Sequence, residues 1–158
     1  MRKINTKKIT IVTGSRAEYG LLRNLITKFN DSDSFDLNLI VTGSHLSEEY
    51  GNTIDEIKED GLKINNEVFL DLNEDSEQSI AKAISEGISQ LTNILSKEKP
   101  DLVLILGDRY EIFSVAIAAL ICRLPVAHIH GGERTEGVID ESIRHSITKM
   151  SHLHFTAT

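Results

Sequence analysis

Apolar and polar positions fall along this chain in two registers that take turns: short β-branched runs, and longer stretches with helical spacing. Lys8 to Thr13 is a β-branched run that ends at Gly14-Ser15. From Ala17 to about Phe29, the apolar residues Leu21, Leu22, Leu25, Ile26 and Phe29 recur at helical intervals. A polar loop, 30–34, leads to a second strand from Phe35 to Val41, which ends at Thr42-Gly43-Ser44. Ser47 to about Glu59 reads as a helix with Tyr50, Ile54 and Ile57 turned inward, closed near Gly61, and Ile64 to Leu70 as a weaker strand. Ile80, Ile84, Ile88, Leu91 and Leu95 form one stripe of a long helix, preceded by the acidic and serine-rich segment 74–77 and stopped by Pro100. Asp101 to Leu106 is apolar at every position after its first, which suits a parallel strand covered on both faces. Gly107-Asp108-Arg109 closes it, and Ile112 to Cys122 reads as a buried helix. Pro125 to Ile129 is another central strand ending at His130-Gly131-Gly132. Asp140 to Met150 follows as a helix, and His152 to Thr156 begins one more strand.

Strands that alternate with helices imply right-handed crossovers, and so an α/β fold: a Rossmann-like, doubly wound parallel sheet in one domain spanning 1–158. Such sheets bind ligands beyond the carboxyl ends of their strands, which directs attention to the loops there.

Composition narrows the choice of function. The chain has 158 residues, 24 acidic against 17 basic, for a formal charge of −7. That is the wrong sign for a nucleic-acid partner held through its phosphates. No apolar run approaches the roughly 20 residues of a membrane span, and the basic start lacks a signal peptide's apolar stretch, so a cytoplasmic protein without a membrane partner is expected. A single cysteine, Cys122, gives no intrachain disulfide and no cysteine-based zinc site, and reads as a small buried hydrophobe.

Four strand-end loops carry the unusual residues. In Thr13-Gly-Ser-Arg-Ala-Glu-Tyr-Gly20 a tight turn opens a helix whose free amides suit a phosphate, and Arg16 is a candidate clamp on a diphosphate; an ordinary turn with an exposed arginine is the alternative. The loop does not match the dinucleotide pattern G-x-G-x-x-G. In Gly43-Ser44-His45-Leu46, Ser44 and His45 are candidate contacts to a sugar hydroxyl or phosphate, or else a helix cap. In Gly107-Asp108-Arg109, an aspartate at the end of an apolar strand has little water around it and is a candidate general base or holder of a sugar hydroxyl, with Arg109 beside it. The fourth segment, 128–145, is richest. His128 and His130, two apart on a strand, would share a face, although an H-x-H pair with no third ligand makes a weak metal site. Gly131-Gly132 would let the backbone approach a ligand, and Glu133, Glu136, Asp140, Glu141, Arg144 and His145 crowd the turns that follow, with Asp140 placed to cap the next helix.

The motifs Thr-Gly-Ser-Arg-Ala-Glu-Tyr-Gly at 13–20, Gly-Ser-His-Leu at 43–46, Tyr-Gly-Asn-Thr at 50–53, Gly-Asp-Arg at 107–109, His-Gly-Gly-Glu at 130–133 and Asp-Glu-Ser-Ile-Arg-His-Ser-Ile-Thr-Lys-Met at 140–150 resemble, in order, those of the hydrolysing UDP-N-acetylglucosamine 2-epimerases of sialic-acid-type sugar biosynthesis. The resemblance implies the amino-terminal half of a GT-B-like two-domain enzyme, the second, nucleotide-binding domain lying outside these residues, and a homodimer. It implies a UDP-sugar substrate cleaved to UDP and an N-acetylmannosamine-type sugar by elimination and hydration, with no cofactor and no metal. It makes Asp108 and Asp140 catalytic carboxylates and Arg16 a nucleotide-phosphate contact. The chemistry demands at least two proton-transfer groups on different sides of the ring, for which His130 and Glu133 are further candidates, and the strand-end loops offer Ser44, His45, Arg109, Arg144 and His145 as candidate substrate-binding residues. Human-type members carry His-Ile-Glu-Gly-Gly-Glu, so their catalytic glutamate stands where this chain has His130; a 2,4-diacetamido-6-deoxy UDP-sugar is the related substrate that this departure suggests. Two other functions compete, a GT-B glycosyltransferase half and a non-catalytic nucleotide-binding module.

Overall fold

The computed structural model describes residues 6–72, 76–134 and 139–157, so the expectations placed on Glu74, Asp75 and Glu136 lie outside the described residues. Six strands form one sheet, all pairs parallel, in the order β3-β2-β1-β4-β5-β6. They are β1 (Lys7–Thr13), β2 (Phe35–Thr42), β3 (Asn66–Val68), β4 (Leu102–Leu106), β5 (Val126–Ile129) and β6 (Leu153–Phe155). The helices between them are α1 (Arg16–Asn30), α2 (Ile54–Glu59), α3 (Glu77–Glu98), α4 (Tyr110–Ile121) and α5 (Asp140–Met150). The strand order runs outward from β1 in both directions, so the switch point lies between β1 and β4, where the loops after these strands diverge and leave a crevice.

Two apolar clusters cover the two faces. On one, Val12, Ile40, Val103 and Ile105 pack against α3, α4 and α5; on the other, Ile11, Leu39, Val41 and Leu104 pack against α1 and α2. Burial on both faces is why β4 reads as an unbroken apolar run and why the last five residues of β1 and of β2 are all buried.

Several local expectations are corrected. The segment 47–59 is not one helix: after a 3-10 turn at Gly43–Leu46, it forms a second at Glu48–Tyr50 and then the short α2, with Gly51 and Asn52 between them both at positive φ. Tyr50 therefore points outward, 51% exposed. The buried stripe of α3 runs through Ala83, Gly87, Leu91 and Leu95, leaving Ile80, Ile84 and Ile88 on its flanks. Small residues win the centre because α3 lies close against α4, where Ser114 donates its hydroxyl to the Ile84 carbonyl at 3.3 Å. Leu21 of α1 and Leu120 and Ile121 of α4 are exposed, and Cys122 is only partly buried, its thiol 3.8 Å from the Thr92 carbonyl. Among the described residues no helix is long and apolar enough to cross a membrane.

Candidate functional site

At the switch point a cavity of about 340 Å³ opens beyond the carboxyl ends of β1, β4 and β5. Ser15, Ala17, Glu18 and Leu21 line it from the β1–α1 side, Gly107, Asp108 and Arg109 from the β4–α4 loop, and His130, Glu133 and Arg144 from beyond β5. Glycine at 107, at φ +86°, turns the chain sharply out of β4 and presents Asp108 at the rim.

Arg144, on the first turns of α5 and 7% exposed, organises one wall. Its Nε donates to Asp108 Oδ2 at 3.0 Å, and its Nη2 makes a second, short contact to the same oxygen. Its Nη1 donates to the His130 carbonyl at 2.9 Å and to Glu133 Oε2 at 3.2 Å. One guanidinium therefore ties β4, β5 and the loop after β5 together, a task its rigid fork of donors suits. His130 adds a second device. Its Nδ1 lies 2.7 Å from Glu133 Oε1, and the hydrogen bond from His130, the largest cause, holds the Glu133 carboxyl below its usual range. A carboxylate only accepts, so Nδ1 is the donor and Nε2 is left as the nitrogen able to take up or hand over a proton.

His128 and His130 do not share a face. The strand ends at Ile129, and His130 turns into the left-handed region at φ +58°, which breaks the alternation. His128 points into the interior, its Nε2 2.7 Å from the Gly107 carbonyl and its Nδ1 3.2 Å from the Thr148 hydroxyl, and burial pushes its pKa down. Gly131 is likewise buried; a methyl there would meet His128 Nδ1 at 2.6 Å, so the close approach it permits is to the histidine.

Other candidates sit elsewhere. Arg16 reaches away from the cavity, 73% exposed at the side chain, and pairs with Glu56 at 2.7 Å, although its neighbours Ser15 and Ala17 line the cavity. Ser44 donates to the Gly14 carbonyl at 3.1 Å. His45 is fully buried, with Nε2 3.1 Å from the Thr13 hydroxyl and Nδ1 2.7 Å from that of Thr53. Burial lowers its pKa to about 4, so it is a neutral clamp between the β1 end and the start of α2, a correction to the expected ligand contact. Asp140 is the first residue of α5, exposed, with Ile139 at the cap position; the helix has no side-chain cap, and Asp140 does not line the cavity. His145 is exposed and 3.6 Å from Glu141.

The main omission is Glu18, a buried acid on the cavity wall that counts as an ordinary first-turn acid by its position in the sequence. The signal that would have singled it out is the spacing Ser15-x-x-Glu18, the pattern of a reciprocal helix cap.

Comparison with known proteins adds to this geometry. Residues 27–158 match the family model described as UDP-N-acetylglucosamine 2-epimerase. The chain is 47% identical over 152 residues to a protein of Legionella pneumophila named UDP-N,N'-diacetylbacillosamine 2-epimerase (hydrolyzing), covering 96% of this chain and 40% of that protein. It is 49% identical over 152 residues to polysialic acid biosynthesis protein P7 of Escherichia coli, covering 96% and 39%. The structure of the UDP-GlcNAc 2-epimerase from Neisseria meningitidis bound to UDP-GlcNAc superposes with a TM-score of 0.79 at 25% identity, over 94% of this chain and 39% of that one. The chain thus spans about two-fifths of the length of the relatives it matches.

Proposed function

We propose, from the premise that the chain belongs to the UDP-N-acetylglucosamine 2-epimerase family, that it is the amino-terminal domain of a two-domain enzyme that hydrolyses a UDP-2-acetamido sugar while inverting C2. The observation that carries the reading is the meeting of Asp108, from the loop after β4, with His130, Glu133 and Arg144, from the segment after β5, in one cavity at the sheet's switch point. A 2,4-diacetamido-6-deoxy UDP-sugar is the favoured substrate, supported by the name of the Legionella relative, and UDP-N-acetylglucosamine is the second.

The reaction proceeds in two stages. A base takes the C2 proton as the C1–O bond to the diphosphate breaks, which leaves a glycal with a C1=C2 double bond and releases UDP. Water then adds across that bond, its hydroxyl to C1, while a proton arrives at C2 on the opposite ring face. The sum is UDP-sugar plus water giving UDP and the free epimeric sugar, with no net change of oxidation state. Two proton-transfer groups are needed, one for each face. Asp108, fixed by Arg144, supplies one. His130, oriented by Glu133, supplies the other. Asp140, the first residue of α5, is a further carboxylate candidate, exposed and outside the cavity lining. The leaving diphosphate needs positive charge, which the α1 amino terminus and Arg16 can furnish once Arg16 exchanges Glu56 for the ligand.

The test is incubation of the two-domain protein with both UDP-sugars in deuterated water, with no acceptor present. Release of UDP together with a free C2-epimerised sugar carrying deuterium at C2 is expected. Asp108→Asn or Asp140→Asn should lower turnover by about 10²-fold or more, the usual scale for acid-base groups. Sugar transfer only when an acceptor is added would make the protein a glycosyltransferase, and binding without turnover would make it a nucleotide-binding module.

A further inference from the structure

Glu18 and Ser15 are three apart at the start of α1 and cap it in an unusual way. The Ser15 hydroxyl accepts the Glu18 N–H at 3.3 Å, as in a reciprocal cap, but the Glu18 carboxyl reaches one residue further back, where Oε2 accepts the Gly14 N–H at 2.7 Å. Its other oxygen, Oε1, is buried and has no hydrogen-bond partner among the described residues. The side chain is 5% exposed and stands in the wall of the same cavity as Asp108 and His130. Next to it is Glu111, fully buried, whose two oxygens are both taken by the Arg109 guanidinium at 3.1–3.2 Å. A methyl on Gly14 would lie 3.5 Å from Glu18 Oε2 and 3.7 Å from Glu111 Cβ, so the two acids flank one turn. Arg109 is committed to Glu111, and Glu18 has no ion pair of its own among the described residues. A buried oxygen in that state costs stability unless a partner arrives.

We propose that Glu18 is a substrate-positioning residue of the cavity, its unpartnered Oε1 hydrogen-bonding to an acceptor oxygen of the anionic sugar nucleotide bound there. The proposal rests on the UDP-sugar reading above and adds a residue to it. An acceptor needs a donor, so Glu18 works in its acid form. Burial, the largest cause, pushes its pKa up to about 7; Glu111 adds to this, and the Gly14 amide, Arg109 and Ser15 oppose it. The charged groups around it are Glu111 and Arg109 beside it and Asp108, His130, Glu133 and Arg144 around the cavity. The terminal torsion of a glutamate is soft, so Oε1 turns toward a ligand without moving α1. Ionised Glu18 would instead set a second negative charge beside Glu111 and against the ligand. Affinity is therefore full below pH 7 and falls as pH rises through it.

The experiment measures UDP-N-acetylglucosamine binding by calorimetry, and turnover beside it, in the two-domain wild-type protein, Glu18→Gln and Glu18→Ala. Both phosphates of this ligand are diesters that do not titrate near neutrality, so they add no pH dependence of their own. Wild-type Kd should weaken about tenfold between about pH 6 and about pH 8, as expected for one titrating group. Glu18→Gln, neutral and still a donor, should bind within about threefold of wild type at the lower pH and lose that pH dependence, with KM following Kd and kcat changing less. Glu18→Ala should bind about tenfold more weakly at the lower pH, one hydrogen bond's worth. A Glu18→Gln protein with the wild-type pH profile overturns the proposal and leaves the UDP-sugar reading intact. A carbon-13 titration of the Glu18 carboxyl in this chain with its midpoint near the ordinary glutamate value of about 4.3 also overturns it, with no ligand needed. A wild-type protein that neither binds nor cleaves either UDP-sugar removes the substrate reading itself, and this proposal with it.

Discussion

Replacing Arg144 with methionine isolates the contact that assembles the cavity wall. The methionine keeps apolar bulk on α5 beside Ile143 and Ile147, so the helix retains its seat while the guanidinium goes. The Arg144 and Asp108 side chains are 9% and 18% exposed, and Glu133 is 36% exposed. Removing one partner of a buried pair costs about 3–5 kcal/mol, because the remaining charge is left uncompensated. Here both carboxylates keep some water, so the lower end applies, about 3 kcal/mol. For a chain of this size that is a fall in Tm of about 6–12 °C. Thermal and urea unfolding of this chain at neutral pH measure it directly. A double variant, Asp108→Asn with Arg144→Met, supplies the internal check, since neutralising the stranded aspartate should recover about 1–2 kcal/mol relative to the sum of the single changes. Turnover in the two-domain protein should fall with the single variant through misplacement of Asp108 and His130, even at temperatures where it is fully folded. If Arg144→Met melts within about 2 °C of wild type, or the two changes add without coupling, Arg144 does not hold the site as described.

Two further outcomes follow from the scaffold. Gly43, at φ +62° after β2, has Gly14's carbonyl oxygen 2.5 Å from where a methyl would sit, so Gly43→Ala should cost about 2–4 kcal/mol by strain and backbone clash, read as a lower urea midpoint. His45 is neutral in the fold, its pKa lowered from 6.5 to about 4 by burial, so its contribution is complete above pH 6.5 and lost as pH falls toward 4. That loss amounts to about 3 kcal/mol, and His45→Gln should show a correspondingly smaller drop in stability between neutral pH and pH 4 in paired urea titrations.

The chain's own pattern was enough to determine the class of fold. A short unbroken apolar run such as Leu102–Leu106 suits a strand buried on both faces, and the alternation of strands with helical segments leaves a parallel, doubly wound sheet. The same logic marked the loops after β1, β4 and β5, and Asp108, Arg109, His130, Glu133 and Arg144 do meet there. Periodicity carries no information about which apolar residue meets which neighbour. The α3 stripe is centred on Ala83 and Gly87 because α4 lies close, and Leu21, though in phase with its helix, faces the cavity. Polar side chains were less legible still, since pairing partners come from distant segments. Arg16 turns to Glu56, His45 is sealed between Thr13 and Thr53, and Glu18 acquires its raised proton affinity only when folding buries it, with Glu111 beside it. Local sequence sets backbone preference and the sidedness of each element, while the charge state and orientation of a buried group depend on the surroundings that tertiary packing brings to it.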